Sequence, residues 1–216
     1  MKILKTAKII ILSIFVVLAI SFAIYFIPFR DIFARIPYIN SLYNNTSLTV
    51  SSKNGVANVK INDKEYGKTP LEIKDLVPGE YTITMNRITE SDSFYQEKKL
   101  SIDISNDTEA IVDIEIGPND VTHGYYLYYK PAPKVGNKGY LTINSHIGEV
   151  DIFLDEDFLN KSPINTQILT AKEYKLKVTK TGYETLEIPI IIRDGYNLNC
   201  NIYLMRKPIN IEIVNE

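Results

Sequence analysis

The sequence predicts a mainly β protein, in which an N-terminal transmembrane α-helix is followed by two tandem small β-sandwich domains. Three observations predict this architecture. Residues 9–27 form an uncharged apolar run. The rest of the chain contains a sequence repeat. Each copy of the repeat alternates apolar with polar residues, which is typical of strands with one buried face, because successive side chains of a strand point to opposite sides.

The apolar run at residues 9–27 has the length of a membrane-spanning helix. At about 1.5 Å of rise per residue it matches the ~30 Å hydrocarbon layer of a bilayer. Lys2, Lys5 and Lys8 precede the run. Positive residues stay on the cytoplasmic side, so residues 1–8 are expected in the cytoplasm. The bulk of the chain is then expected outside it, in the periplasm or at the cell surface.

A cleaved signal peptide is the alternative interpretation of this run. Ser21 and Ala23 have the small side chains and the spacing that signal peptidase requires. The apolar run is longer than the usual core of a signal peptide, so we favour an uncleaved signal anchor. In both cases the rest of the chain is exported. Residues 28–46 then form either a juxtamembrane stalk or an amphipathic segment on the membrane surface.

The body of the chain repeats itself once. Leu48 aligns with Leu141, 93 residues later, and this spacing holds without a gap through the first half of each copy. In the second half the spacing is 88 residues, as between Leu100 and Ile188. The difference reflects a polar insertion in the first copy near residues 87–93, which is what a loop between strands tolerates.

Each copy carries the pattern of a small antiparallel sandwich. The alternation is clearest in residues 81–85 and 174–178, and one polar face with one apolar face is typical of antiparallel sheets. About 70 residues per copy can close two small sheets over one core. The expected organisation is a cytoplasmic N-terminus (1–8), a transmembrane helix (9–27), a juxtamembrane stalk (28–46), a first sandwich (47–117), a Tyr/Pro-rich inter-domain segment (118–138), a second sandwich (139–206) and a tail (207–216).

Short motifs in both copies resemble a known module. They are Gly67-Lys68-Thr69-Pro70 and Pro78-Gly79-Glu80-Tyr81 in the first copy, and Asn160-Lys161-Ser162-Pro163, Lys172-Glu173-Tyr174 and Gly182-Tyr183 in the second. These motifs resemble the PEGA domain, over residues 47–117 and 139–206. At the expected place of the four residues that name the family, only Ala57 matches in register. From the motifs in both copies and the apolar run before them, the chain is identified as a tandem PEGA-domain protein with an N-terminal transmembrane anchor.

The resemblance implies an immunoglobulin-like or prealbumin-like β-sandwich for each copy. It also implies an exported surface protein that binds envelope or surface-layer material. The family carries no known catalytic residues, so none is transferred to this chain. From the residues themselves, Thr69-Pro70 and Ser162-Pro163 are expected where a strand starts, because proline is tolerated at that position.

Composition and motifs predict no catalytic residues, no cofactor and no metal site. The formal net charge of -2 gives no basic field for nucleic acid. The single cysteine, Cys200, alternates as an inward strand residue and is expected in the core. The acidic run Asp155-Glu156-Asp157 is interpreted as a charged hairpin turn rather than a calcium site, because the first copy has Asn62-Asp63-Lys64 at the equivalent place.

The inter-domain segment contains the candidate contact residues. Four tyrosines surround Leu127, and a tyrosine offers a flat ring with a polar tip at low entropic cost. They are Tyr125, Tyr126, Tyr128 and Tyr129. The alternative interpretation is that these rings pack between the two modules or extend an edge strand. Proline at residues 131 and 133 is expected to stiffen the chain behind them.

Together these features predict a non-enzymatic, membrane-anchored envelope protein that acts as a binding or spacer module. The expected partners are the membrane, through the anchor, and an envelope glycan or surface protein. An accessory subunit of a larger membrane complex is the alternative function. An enzyme is the third hypothesis, and it would need a pocket with clustered titratable groups.

Overall fold

The computed structural model describes residues 15–18, 22, 46–89 and 94–208. Residues 15–18 and 22 are helical and exposed. Most of the predicted transmembrane segment, residues 9–27, lies outside the described residues, as does the predicted stalk at 28–46 apart from its last residue. Among the residues that are described, no helix is both long and apolar enough to cross a membrane.

Fifteen strands make up the described part of the body of the chain. In chain order they are β1 (Ser47–Ser51), β2 (Ala57–Ile61), β3 (Lys64–Lys68), β4 (Leu71–Lys74), β5 (Gly79–Arg87), β6 (Lys98–Ile104), β7 (Glu109–Ile116), β8 (Thr122–Pro131), β9 (Lys138–Ser145), β10 (Asp151–Leu154), β11 (Asp157–Lys161), β12 (Ile164–Thr170), β13 (Glu173–Thr179), β14 (Leu186–Ile191) and β15 (Tyr196–Tyr203). The prediction of a mainly β body with two repeated domains is confirmed.

The two copies of the repeat have the same topology. In the first copy β4, β1 and β7 lie side by side, and β3, β2, β5 and β6 form a separate four-stranded sheet. In the second copy β12, β9 and β15 correspond to the first group, and β11, β10, β13 and β14 form the second four-stranded sheet. The first and last strands of each copy pair in parallel, β1 with β7 and β9 with β15. All the other pairs are antiparallel.

Each copy buries its own hydrophobic core between its two sheets. The first core includes Leu48, Ile83 and Ile114, which are all fully buried. The second core includes Ile143 and Cys200, which are also fully buried. Burying such an apolar side chain contributes about 1.5–3 kcal/mol to stability, so the apolar residues that alternate along the strands are what holds the two sheets of each copy together.

Strand β8 has no counterpart in the repeat and joins the two copies. It pairs antiparallel with β7 on one side and antiparallel with β15 on the other. The result is one continuous seven-stranded sheet in the order β12-β9-β15-β8-β7-β1-β4. The middle of the segment predicted to lie between the domains, residues 122–131, is therefore a strand of both, and residues 118–121 and 132–137 connect it to β7 and β9.

The two four-stranded sheets cover opposite faces of this shared sheet. Paired residues of neighbouring strands lie on the same face, and successive residues lie on opposite faces. Tyr126 pairs with Val112 of the first core, whereas Leu127 pairs with Cys200 of the second. Strands β7 and β15 run in the same direction on the two sides of β8, and the strand order on one side mirrors the order on the other. A rotation of half a turn around the axis of β8 therefore approximately superposes one copy on the other.

The Thr-Pro and Ser-Pro motifs lie just before β4 and β12, where the sequence places a strand start. In the first copy the Ala57 N–H donates to the Thr69 hydroxyl oxygen at 2.9 Å, and the Thr69 N–H donates to the Ala57 carbonyl at 2.9 Å. In the second copy the Val150 N–H donates to the Ser162 hydroxyl oxygen at 3.1 Å. Both hydroxyls are buried, so each satisfies a backbone donor that water cannot reach.

Replacing Thr69 with valine is expected to destabilise the first domain. Thr69→Val keeps the shape of the side chain but leaves the buried Ala57 N–H without its acceptor, at a cost of about 1–3 kcal/mol. Thr69→Ser keeps the hydroxyl and is expected to cost less than about 1 kcal/mol. Urea unfolding followed by circular dichroism compares the two variants. Equal stabilities would show that the hydroxyl is not needed.

Candidate functional site

The four candidate tyrosines lie on β8 and divide between its two faces. Tyrosine favours extended strands, and a run of them with Leu127 is compatible with a strand that both domains bury in part. Tyr126 and Tyr128 pack against the first core, and Tyr125 packs against the second. Tyr129 belongs to the second core. The structure therefore brings the candidates together two by two rather than as one group of four.

Tyr129 is held inside the molecule. Its ring is only 4% exposed, and its hydroxyl donates to the Ile191 carbonyl at 2.6 Å. The guanidinium of Arg193 lies 4.6 Å from the centre of the ring. Burial raises the pKa of Tyr129 to about 12, although the positive charge of Arg193 acts in the opposite direction. The contacts of this side chain are those of a residue that joins β8 to the second domain.

Tyr125 shares the face of Tyr129 and lies beside an acidic strand. It pairs with Asp113 of β7 and packs partly buried against the second core. Burial, followed by the negative charge of Asp113, raises the pKa of Tyr125 to about 12. Its hydroxyl therefore stays protonated at neutral pH and can donate a hydrogen bond.

Tyr126 and Tyr128 begin a row of four rings on the opposite face. Their ring centres are 6.3 Å apart and their planes differ by 7°. The ring of Tyr203, at the end of β15, lies 6.3 Å from Tyr126, and the imidazole of His146 stacks on Tyr203 at 3.9 Å. We call Tyr128, Tyr126, Tyr203 and His146 the ring row. It extends from the middle of β8 to the turn after β9.

Asparagines of β15 lie beside the ring row. Asn199 pairs with Tyr128 and Asn201 pairs with Tyr126, so their amides point to the same face as the rings. Asn197 is on this face too, and its amide nitrogen lies 3.0 Å from the hydroxyl of Thr142 in β9. We call the surface formed by the ring row, Asn197, Asn199, Asn201 and Thr142 the amide–tyrosine face.

The amide–tyrosine face is a polar, partly exposed surface. The asparagines, Thr142, Tyr126 and Tyr128 are half-buried, because the side chains stand next to one another on the open sheet. Burial raises the pKa of Tyr126 to about 12 and also raises that of Tyr128. The face therefore offers uncharged hydroxyl and amide groups as donors and acceptors beside flat apolar rings, without a titrating group among the tyrosines at neutral pH.

Sequence reasoning missed the asparagines, Tyr203 and His146. The alternation Asn197-Leu198-Asn199-Cys200-Asn201 shows that three amides share one face of a strand. That signal identifies the amides but not their neighbours. The parallel pairing of β9 with β15 and the antiparallel pairing of β8 with β15 bring Thr142 and the tyrosines beside them.

The other residues considered for chemistry have structural surroundings. Asp155 and Glu156 form the turn between β10 and β11, and both have positive φ angles, of 50° and 71°. Asp155 accepts hydrogen bonds from Lys172 Nζ and from the Lys175 N–H, which together lower its pKa. Within the described part of the chain, no group of three or more His, Cys, Asp or Glu residues is arranged to hold a metal ion.

Cys200 lies at the centre of the second core. It is fully buried, and burial raises the pKa of its thiol to about 12. The thiol is therefore protonated at physiological pH. Because the thiolate is the reactive form of cysteine, these surroundings disfavour reaction of Cys200 in the folded protein.

Comparison with known proteins gives a family and a distant structural similarity. The family model of the PEGA domain matches twice, at residues 45–115 and 138–208. The comparison with curated proteins found no match. A solved structure, the Bacillus anthracis TIE protein, is 15% identical with a TM-score of 0.25, over 76% of this chain and 34% of that chain. The matched part of this chain spans about a third of the length of the TIE protein. With both copies of the repeat matched, the chain belongs to the PEGA-domain family.

Proposed function

We propose that this protein is a non-enzymatic envelope module that binds a glycan through the amide–tyrosine face. The observation that supports the proposal is the combination of a ring row with three amides on one open sheet face. Sugars present flat apolar faces and many hydroxyl groups, which match tyrosine rings and asparagine amides respectively. A row of partly exposed side chains along a sheet suits an extended polymer rather than a small molecule enclosed in a cavity.

The proposal includes a membrane anchor and an extracytoplasmic location. The apolar run at residues 9–27 and Lys2, Lys5 and Lys8 before it support an anchor with a cytoplasmic N-terminus. The shared sheet supports a spacer role as well. Since β8 pairs with both domains, the two copies form one body and hold the amide–tyrosine face in a fixed orientation.

A sedimentation experiment tests the proposal. Full-length protein in detergent is mixed with insoluble wall polysaccharide from its own cell, and the fraction of protein that sediments with the polysaccharide is measured. The variant carries Tyr128→Ala with Asn201→Ala, and its affinity is expected to fall about tenfold or more, because a stacking ring and an amide are both lost. The control carries Tyr125→Ala with Asp113→Ala. This pair occupies the opposite face and is expected to change affinity less than about twofold.

Comparison of the two double variants distinguishes damage to the binding face from unfolding of the protein. Thermal unfolding of both double variants measures any general destabilisation. No sedimentation of the wild-type protein with the polysaccharide, or equal loss in both variants, would reject the proposed face. Recovery of one stoichiometric protein partner by crosslinking, without retention on glycan, would instead support an accessory subunit of a membrane complex.

A further inference from the structure

The ring row ends in a cavity between the two domains. The cavity has a volume of about 430 Å³, and Tyr203 and His146 form part of its wall. Lys98, at the start of β6, contributes from the first domain, and Arg206, just after β15, contributes from the second. We call it the Lys98–Arg206 pocket. The pocket adjoins the amide–tyrosine face, because Tyr203, which is 5% exposed, lines the pocket and lies 6.3 Å from Tyr126.

Lys98 brings a positive charge directly over the ring row. Its ammonium lies 4.4 Å from the centre of the Tyr203 ring. Asp120 is its carboxylate neighbour at 3.9 Å, but the Asp120 side chain is 81% exposed and the Lys98 side chain only 19%. An ion pair at this distance with one partner in water is weak. The positive charge of Lys98 therefore remains available to a ligand in the pocket.

Arg206 supplies the second cation. Its Nε donates to the Tyr183 hydroxyl at 3.4 Å, and its guanidinium carbon lies 5.9 Å from the centre of the Tyr183 ring. Among the described residues, Arg206 forms no ion pair with a carboxylate. Within the described part of the chain no acid engages the guanidinium, so its N–H groups can donate hydrogen bonds to an acid group of a ligand.

The remaining groups of the pocket leave it positively charged at neutral pH. Burial, and then the positive charge of Lys98, lower the pKa of His146, so its imidazole is mostly neutral. Of the described residues that line the pocket, Asp120 is the one acid, against the two cations Lys98 and Arg206. At the other end of the ring row the ammonium of Lys130 lies 5.7 Å from the centre of the Tyr128 ring, but Asp103 pairs with it at 3.4 Å. The more weakly paired positive charge is thus at the Lys98–Arg206 end of the ring row.

We propose that the Lys98–Arg206 pocket binds the acid group of an acidic polysaccharide whose sugar rings lie along the ring row. This inference rests on the proposed function and names the class of glycan. Lysine and arginine form their strongest hydrogen bonds with carboxylate and phosphate oxygens. The shared chemistry is an anionic oxygen group on a sugar chain, which a uronic acid or a phosphodiester can supply.

Binding of defined polymers to the full-length protein in detergent tests this inference. The probes are polygalacturonate, which carries carboxylates, poly(glycerol phosphate), which carries phosphodiesters, and dextran, which is neutral. Lys98→Gln with Arg206→Gln is expected to lower the affinity for at least one acidic polymer about tenfold or more. Its affinity for dextran is expected to change less than about twofold. Rising salt should weaken only the acidic interaction.

Matched variants make the result specific. Lys64→Gln with Lys74→Gln removes the same charge from β3 and β4, which are outer strands of the first domain, and should leave all affinities within about twofold. If the double variant does not fold, Arg206→Gln alone replaces it, because residue 206 is exposed, and its affinity for the acidic polymers is measured instead. One result would overturn this inference and leave the proposed function intact. In it, the affinity for dextran depends on Tyr128 and Asn201, but the affinity for the acidic polymers does not change when Lys98 and Arg206 are replaced.

Two further results would also overturn the inference. One is that the wild-type protein binds none of the three polymers, which would count against the proposed function as well. The other is that polyglutamate binds as tightly as the acidic polymers and is equally sensitive to the loss of Lys98 and Arg206. That result would assign the pocket to an acidic peptide rather than to a glycan.

Discussion

Gly124→Ala is expected to lower the free energy of unfolding by about 3–5 kcal/mol, a large effect for one added methyl group. Gly124 lies in β8, where it pairs with Ile114 of β7 and with Tyr203 of β15. Its φ angle of 127° lies in a region that side chains with a Cβ avoid. A Cβ at this position would also overlap the carbonyl oxygen of Asp113, which is backbone and cannot rotate away.

Gly136→Ala is the matched control for this variant. Gly136 also has a positive φ angle, of 49°, but a Cβ there would meet no atom within 4 Å. Its expected cost is about 1 kcal/mol, from backbone strain alone. Calorimetry of the full-length protein measures both variants. Equal losses would mean that close packing of β8 against β7 does not limit residue 124.

Ile83→Ala in the first domain is expected to expose Cys200 in the second domain to thiol reagents. Ile83 is fully buried in the first core, and its truncation is expected to cost about 3 kcal/mol. Because β8 belongs to both sheets, we expect the two domains to unfold together. Labelling of the buried thiol, whose pKa burial raises to about 12, then requires that common unfolding. Its rate should rise on the order of 100-fold.

Ile168→Ala is the control for the labelling experiment, since Ile168 is 45% exposed and lies in β12 of the same domain as Cys200. It is expected to change the labelling rate less than about threefold. The reaction of Cys200 with a chromogenic disulfide at pH 8 is followed in mild urea. If Ile83→Ala left the labelling rate of Cys200 unchanged while it destabilised the first domain, the two domains would be independent.

The sandwich domains were predictable because their signal is local. Strand alternation in residues 81–85 and 174–178 identifies the buried face of β5 and β13 without knowledge of their neighbours. The repeat then supports each assignment twice. The inward position of Cys200 and the turn at Asp155 followed from the same local pattern, and the structure places both as expected.

The candidate site was predictable only in part. The tyrosines of residues 125–129 are conspicuous in the sequence, and alternation alone divides them between two faces. Which pair lies beside Asn199 and Asn201 depends on the register of β8 with β15, and that register pairs residues about seventy positions apart. Lys98 and Arg206 are farther apart still, and no local pattern relates them.

The sequence by itself determined two duplicated sandwich modules, their inward residues and an apolar run before them, because side-chain periodicity is a property of neighbouring residues. Only the tertiary structure decided that β8 closes one continuous sheet and that the two cores lie on its opposite faces. Strand β8 has no copy in the repeat, so its partners are fixed by long-range hydrogen bonds and by the burial that both domains gain from it. Those non-local pairings create the amide–tyrosine face.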